Sequence, residues 1–398
     1  MKLTFAMLII VLLAFSGYHL SFRNFKLPLF ARQFYLTGTE FLFLGLLLGP
    51  QFLALFDAET QKALAPLSGL LLGWIGMIFG FQFEINKLRR FPLEHLCAAV
   101  LEGVLTLTLV FAAVLLTLHF FPYITGPMKI AVSLTLAAAA AFTAQSGLAI
   151  MAPDCIGRCK DALNILRYIS SIDGLGALLI FGLAFFFRAP SFSEVSLAAE
   201  VGWGILLTLL ASIGLLMLFT LFVSLRRPAS ELTLVVIGMT VLTSGMASAL
   251  NFSPLLINFF VGFWIVNLSR EKERIYQILM TVEKPFYLLL LVFLGASLQF
   301  QTAWVFLWAA GYCLFRLSGK FLSGLLMTWL TPGLRGQPRN LGFGLLAQGG
   351  LPLAILLDFQ QAFHSDTATL VISVGLLAVI YNEFLSPYFL NRLLATDK

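Results

Sequence analysis

The sequence predicts an all-α integral membrane protein of about thirteen transmembrane helices, built as an inverted repeat with two crossed, broken helices. Three observations carry this. The 398 residues are 60% hydrophobic and only 11% charged, with a mean hydropathy of +0.95, whereas soluble chains are about 45–50% apolar and about 25% charged. Apolar runs near the ~20 residues that span a bilayer as a helix recur along the whole chain. One short motif occurs twice, in segments of opposite predicted orientation. Together these exclude a soluble globular protein, a disordered chain, a collagen and a disulfide scaffold. A membrane β-barrel would alternate apolar and polar residues instead of running continuously apolar. The +6 net charge is scattered over short loops, so nucleic-acid binding, which needs a concentrated basic face, is set aside.

The spans fall at about 3–20, 35–56, 66–84, 96–119, 128–151, 163–187, 199–224, 230–249, 253–268, 284–299, 304–331, 340–359 and 367–391. The joins at 250–253 and 300–304 are the least distinct. The first run resembles a signal peptide, but Arg23, Lys26 and Arg32 follow it. That excess of positive charge after the run favours a retained span with the N-terminus outside. The longest polar stretches are about 10–15 residues, so a single membrane transporter domain over 1–398 with no soluble domain is expected.

Orientation follows from lysine and arginine, which collect on the cytoplasmic side. Loops after odd-numbered spans, with the C-terminal tail, hold seventeen of the 25 basic residues, among them Lys87, Arg89, Arg90, Arg270, Lys272 and Arg274. The opposite side holds Lys2, Lys62, Lys129 and Arg188. This predicts an outside N-terminus and a cytoplasmic C-terminus, an arrangement that needs an odd number of spans.

Ala144-Gln145-Ser146-Gly147-Leu148 in the fifth span echoes Ala347-Gln348-Gly349-Gly350-Leu351 in the twelfth, where Pro352 follows. The two spans run in opposite directions. A second echo sets Phe79-Gly80 in the third span against Leu294-Gly295 in the tenth, again seven spans apart. Interrupted helices in matching positions of inverted halves point to a transporter binding site, because the breaks free backbone carbonyls and expose half-helix dipoles near the midplane. Glycines that merely allow close helix packing are the plainer alternative.

Ionisable groups in hydrocarbon are costly and usually functional. Asp173, in Ser170-Ser171-Ile172-Asp173-Gly174-Leu175-Gly176, lies near the middle of the sixth span and is too short to reach the interface. Such a carboxyl can hold a proton or a metal cation, and competition between the two suffices for exchange. Arg316 and Lys320 lie mid-span in the eleventh, four residues apart and so on one helix face. One is expected to pair with Asp173, the other to line a pore or hold unwound backbone. Glu102, about two turns into the fourth span, fits a funnel lining or a helix cap. Cys97 and Cys313 read as buried small apolar residues. Cys155 and Cys159, in a predicted cytoplasmic loop, read as unpaired. No P-loop, GxSxG or His/Cys cluster occurs, so no enzyme and no direct ATP drive is expected.

In order along the chain come Thr37-Gly38-Thr39-Glu40 through Gly49-Pro50, Gly76 through Glu84 with Lys87, Arg89 and Arg90, Phe293 through Leu298, Gly344 through Gly350, and Asn382-Glu383-Phe384-Leu385-Ser386-Pro387. With these the chain resembles the monovalent cation/proton antiporters, the sodium/proton or potassium/proton exchangers of the second bacterial type. The resemblance implies the sodium/proton antiporter fold. It also implies a carboxylate pair in the sixth of thirteen spans, whose second member binds cation and proton and matches Asp173. A basic residue in the eleventh span matches Arg316, with Lys320 one turn on. It further implies a homodimer in which a core bundle moves against a dimerisation domain. The chain departs at Ile172, where the family carries Asp or Asn, and at Thr143-Ala144-Gln145, where the family break has Asp or Ser and then proline.

The sequence reading is therefore a secondary transporter of the bacterial inner membrane, exchanging Na+ or K+ for protons by alternating access in pH and salt homeostasis. Asp173, Thr143, Gln145 and Ser146 would bind ion and proton. Arg316 and Lys320 would compensate charge, and Gly147, Gln348, Gly349 and Gly350 would form the crossing of broken helices. No cofactor and no resident metal is implied. The partners are the cation, the proton, the lipid bilayer and a second copy of the chain. Two alternatives stay open: a sodium-coupled organic-anion symporter on the same scaffold, and a non-transporting membrane sensor or assembly subunit.

Overall fold

The computed structural model describes residues 4–9, 12, 38–89, 92–122, 124–145, 148, 158–187, 197–223, 229–334, 337–338 and 340–395. Most of the first span, Ser146, Gly147 and Cys155 lie outside the described residues. The described residues are helical almost throughout, with no strand among them.

Among the described residues, the helices of ten residues or more are α1 Thr39–Leu48, α2 Ala65–Phe81, α3 Leu93–His119, α4 Gly126–Ala141, α5 Arg158–Ala184 and α6 Leu197–Val223. Then come α7 Ala229–Ala249, α8 Pro254–Leu268, α9 Lys272–Ser297, α10 Trp304–Leu330, α11 Gly350–Phe363 and α12 Asp366–Ala395. They correspond in order to the second to thirteenth predicted spans. Seven are long and apolar enough to cross a membrane, and α2, α4 and α8 are shorter apolar helices. The 16 residues of α4 and 14 of α11 rise about 24 and 21 Å at 1.5 Å per residue, short of the ~30 Å hydrocarbon core. Both end at breaks. Cys313 is buried, whereas Cys97 is exposed on α3, a correction to its reading as a buried residue.

The chain divides into two compact units. The first holds 1–23, 41–90 and 185–296, and thus α2, α6, α7, α8, most of α9 and α1 from Phe41. Its core gathers Trp74, Met77, Phe219, Val236, Val261, Ile265 and Leu279. Within it, α2 crosses α8 and α9 crosses α1 at backbone contact, and the two crossings match residue for residue. A Cβ on Gly80 would overlap the Phe259 carbonyl, and one on Gly262 the Met77 carbonyl. A Cβ on Gly295 would overlap the Leu42 carbonyl, and one on Gly45 the Val292 carbonyl. The spacing of three residues between paired positions is the same in both crossings. Small residues let backbones approach this closely, and dispersion then acts along the whole contact. The Gly80 and Gly295 echo is therefore a pair of equivalent helix contacts in an inverted repeat.

The second unit holds 24–40, 91–184 and 297–398, and thus α3, α4, α5, α10, α11 and α12. Here the backbone leaves the α-helix at Phe142–Ala144 after α4 and at Leu346–Gly349 before α11. The two stretches meet: the Ala144 amide donates to the Ala347 carbonyl at 2.8 Å. Gly349 is required at this crossing, since a Cβ there would stand 2.9 Å from the Ala144 Cβ.

Candidate functional site

The site grows from the end of α4. The last four carbonyls of a helix have no partner within it, and in a membrane no water replaces them. Here each finds a side chain. Gln348 Nε2 donates to the Ala139 carbonyl at 2.8 Å. Arg316 donates to Ala140 through Nε at 2.9 Å and to Phe142 through Nη2 at 3.0 Å. Lys320 Nζ donates to Ala141 at 2.7 Å. Cations suit this end because the helix dipole is negative there.

Arg316 also ties in the other break. Its Nη1 donates to the Leu346 carbonyl at 2.8 Å and to Asn382 Oδ1 at 3.3 Å. Asn382 of α12 in turn donates to Gln348 Oε1 at 2.9 Å, and the Gln348 amide donates to Glu383 Oε1 at 3.2 Å. The planar guanidinium, with five donors in a rigid fork, can serve carbonyls from two chain segments at once. Arg316 is thus the staple of the crossing.

Lys320, one turn further along α10, faces a different set of groups. Its Nζ lies 2.7 Å from Glu102 Oε1 of α3 and 3.7 Å from Asp173 Oδ2 of α5. It donates to Thr143 Oγ1 at 2.9 Å, and Thr143 donates its own hydroxyl hydrogen to the Leu345 carbonyl at 3.2 Å. Thr106 Oγ1, four residues after Glu102 on α3, donates to Glu102 Oε1 at 3.1 Å. Glu102, Arg316 and Lys320 are wholly buried and Asp173 is 3% exposed. Among the described residues, Glu102 Oε2 and both Asp173 carboxylate oxygens have no hydrogen-bond partner.

The structure therefore brings Asp173, Thr143 and Lys320 together, with Arg316, Gln348 and Gly349 at the adjoining crossing and Gly350 as the first residue of α11. Lys320, and not Arg316, is the basic residue beside Asp173. The first break comes at Phe142–Ala144, so Gln145 already starts the next helical stretch, is exposed, and stays outside the buried cluster. Ile172 is buried and apolar. Glu102 is the site residue that sequence reasoning left aside. A signal for it existed: two basic residues and one acidic residue at mid-span leave an unbalanced positive charge, which hydrocarbon penalises.

Among the described residues, carboxylate oxygens of Asp173 and Glu102 without a hydrogen-bond partner thus lie buried beside Lys320, next to the crossing of two non-helical stretches. Among the described residues no group of three or more His, Cys, Asp or Glu side chains is placed to hold a metal ion.

No family model matches the sequence, and no curated protein matches it. Solved structures do. The sodium proton antiporter MjNhaP1 from Methanocaldococcus jannaschii at pH 8 superposes with a TM-score of 0.67 at 17% identity, over 99% of this chain and 100% of that one. An electron-microscopy map of the same antiporter gives a TM-score of 0.62 at 14% identity, over 99% and 96%. The chain therefore has the sodium/proton antiporter fold along nearly its whole length.

Proposed function

We propose that this protein is a secondary transporter that exchanges a monovalent cation, Na+ or K+, for protons through Asp173 by alternating access. The observation that carries the reading is Asp173 itself: buried, with both carboxylate oxygens unpartnered among the described residues, 3.7 Å from an ammonium and next to the crossing of two broken helices. An unpartnered carboxylate in hydrocarbon is expensive unless it is protonated or holds a cation. Either occupant relieves that cost, and only one fits at a time. Thr143 adds a hydroxyl beside the carboxylate. The shared fold of a sodium/proton antiporter supports the same reading.

We place the protein in a bacterial inner membrane, N-terminus outside and C-terminus in the cytoplasm, from the distribution of basic residues, and working as a homodimer from the family resemblance. The anion-symporter alternative is less well supported. Binding an anion needs free cationic donors, and those of Arg316 and Lys320 already serve carbonyls, Thr143, Asn382 and Glu102.

The test is proton flux in proteoliposomes holding an internal pH dye, with sodium, potassium and lithium pulsed in turn on wild type and Asp173→Asn. A cation-dependent pH change in wild type, absent in the variant, is expected. Folded wild-type protein that answers to no cation, or an Asp173→Asn variant that exchanges at the wild-type rate, overturns the proposal.

A further inference from the structure

A cavity of about 170 Å³ lies wholly within the second unit, between α3, α4, α10 and α12, and no residue of the Asp173 cluster lines it. We propose that it binds an acyl chain of a phospholipid whose phosphate meets Lys129, in the leaflet at the start of α4.

The walls decide the class of ligand. They are aliphatic and aromatic, with Val114 and Leu118 of α3, Val132 of α4, Phe315 of α10 and Val371 and Val374 of α12 among them. The two hydroxyls in the lining are already committed. Thr117 Oγ1 donates to the Ala113 carbonyl at 2.8 Å, and the Tyr312 hydroxyl donates to the Leu136 carbonyl at 2.9 Å. A buried water needs about two to four polar partners, and an apolar cavity of ~150 Å³ stays dry and takes benzene instead. Wall atoms without a packing partner forfeit dispersion energy, which an apolar guest restores.

Position decides which apolar molecule. The cavity lies near the C-terminus of α3 and the N-termini of α4, α10 and α12, and so toward one membrane surface. Its lining on α10 runs from Leu307 to Phe315, a rise of about 12 Å. One leaflet supplies about 15 Å of hydrocarbon, half of the ~30 Å core. Leu307 is 59% and Phe315 44% exposed, and exposed apolar side chains on a spanning helix meet lipid. An acyl chain is of this length, is present at this depth, and enters from the side without crossing water.

Lys129 supplies the complement to a headgroup. It lies three residues before Val132 and seven before Leu136, both of which line the cavity, so the three share one face of α4. It is also in the first turn of that helix, where a lysine stem extends to the interface and a basic side chain pairs with a phosphate. The Phe121 and Trp308 rings meet edge to face at 5.6 Å in the same lining, and tryptophan collects at that level of a membrane.

The test is photo-crosslinking in proteoliposomes with a trace of phosphatidylglycerol that carries a diazirine on one acyl chain, the labelled residues being mapped by mass spectrometry. Label is expected to be several-fold denser on the cavity residues than on Leu116, Phe120 and Leu314, which are exposed outside it. Gly311 lines the cavity and has open space where a Cβ would stand, so Gly311→Leu is expected to remove that excess. Lys129→Gln is expected to cut the cavity label several-fold, and Lys129→Arg to keep it. Wild-type label spread evenly over the exposed helix faces overturns the proposal, and that measurement needs no variant to fold. A folded Gly311→Leu labelled like wild type also overturns it. Cavity label that is unchanged in Lys129→Gln, or equally strong from a diazirine fatty acid lacking the phosphate, overturns the phospholipid as occupant in favour of a bare apolar chain. Cavity residues left unlabelled and cross-linked to a second copy of the chain overturn it in favour of a protein contact.

Discussion

Arg316→Met isolates the staple of the crossing. Methionine fills much of the same volume and offers no donor. Three carbonyls, of Ala140, Phe142 and Leu346, lose partners at 2.9, 3.0 and 2.8 Å, and two longer contacts at 3.3 and 3.4 Å go with them. A buried acceptor left unsatisfied costs about 1–3 kcal/mol, so three give about 3–9 kcal/mol. Relaxation of the two non-helical stretches lowers this, and removing one partner of a buried charged cluster typically costs about 3–5 kcal/mol. We expect about 4 kcal/mol. At roughly 2 °C per kcal/mol for a large chain, the melting temperature of the purified protein in detergent should fall by about 8 °C. Arg316→Lys should fall about half as far, because one ammonium cannot reach carbonyls on both segments. Amide exchange at 139–145 and 345–350 should rise in both variants, while exchange within α2 and α8 stays as in wild type. A methionine variant that melts with wild type and keeps its protection at the crossing would refute the reasoning.

Gly80→Ala and Gly295→Ala should each destabilise by about 1–3 kcal/mol, alike because each forces a methyl against a backbone carbonyl at equivalent crossings. Gly103→Ala, with open space around its Cβ, should be neutral or stabilising by up to about 1 kcal/mol. Melting of the three variants side by side checks this, and Gly103→Ala as the worst of them would contradict it. Glu84 lies between α2 and α3, outside the helices that span. Hydrogen bonds from Lys272 and Lys87 hold its carboxyl below the ordinary carboxylate value, with Nζ–O distances of 2.6 and 2.8 Å. Its lowered pKa contributes stability that is complete above the unfolded value and is lost as pH falls through the folded one. Melting measured from pH 7 down to 3 should drop less steeply for Glu84→Gln than for wild type, by an amount under about 1 kcal/mol. Parallel curves would contradict it. Gly349→Val should open the contact with Ala144, slowing any exchange activity more than it lowers melting. An unchanged rate would show that the crossing tolerates the added bulk.

The class of fold was legible before any coordinate, because solvation alone decides it. A chain that is 60% hydrophobic in runs of about 20 residues must lie in hydrocarbon, and there the backbone groups must find partners within the protein, which a helix supplies along its length. Asp173 stood out for the same reason, as an ionisable group where solvent cannot reach it. The repeat was visible in the Ala-Gln motifs and in Gly80 and Gly295, since close backbone contact leaves no choice but glycine. Which side chains meet was not legible. Glu102 and Lys320 are far apart in sequence, on α3 and α10, and only the packing of these helices puts them 2.7 Å apart. Periodicity assigns a face to each residue but not the helix opposite, so it offered Arg316 and Lys320 as equals for Asp173. The break at Phe142–Ala144, ahead of the glycine at 147, has the same origin. The α4 helix ends where Gln348, Arg316 and Lys320 supply donors for its last four carbonyls. Local propensity cannot anticipate partners that other helices bring.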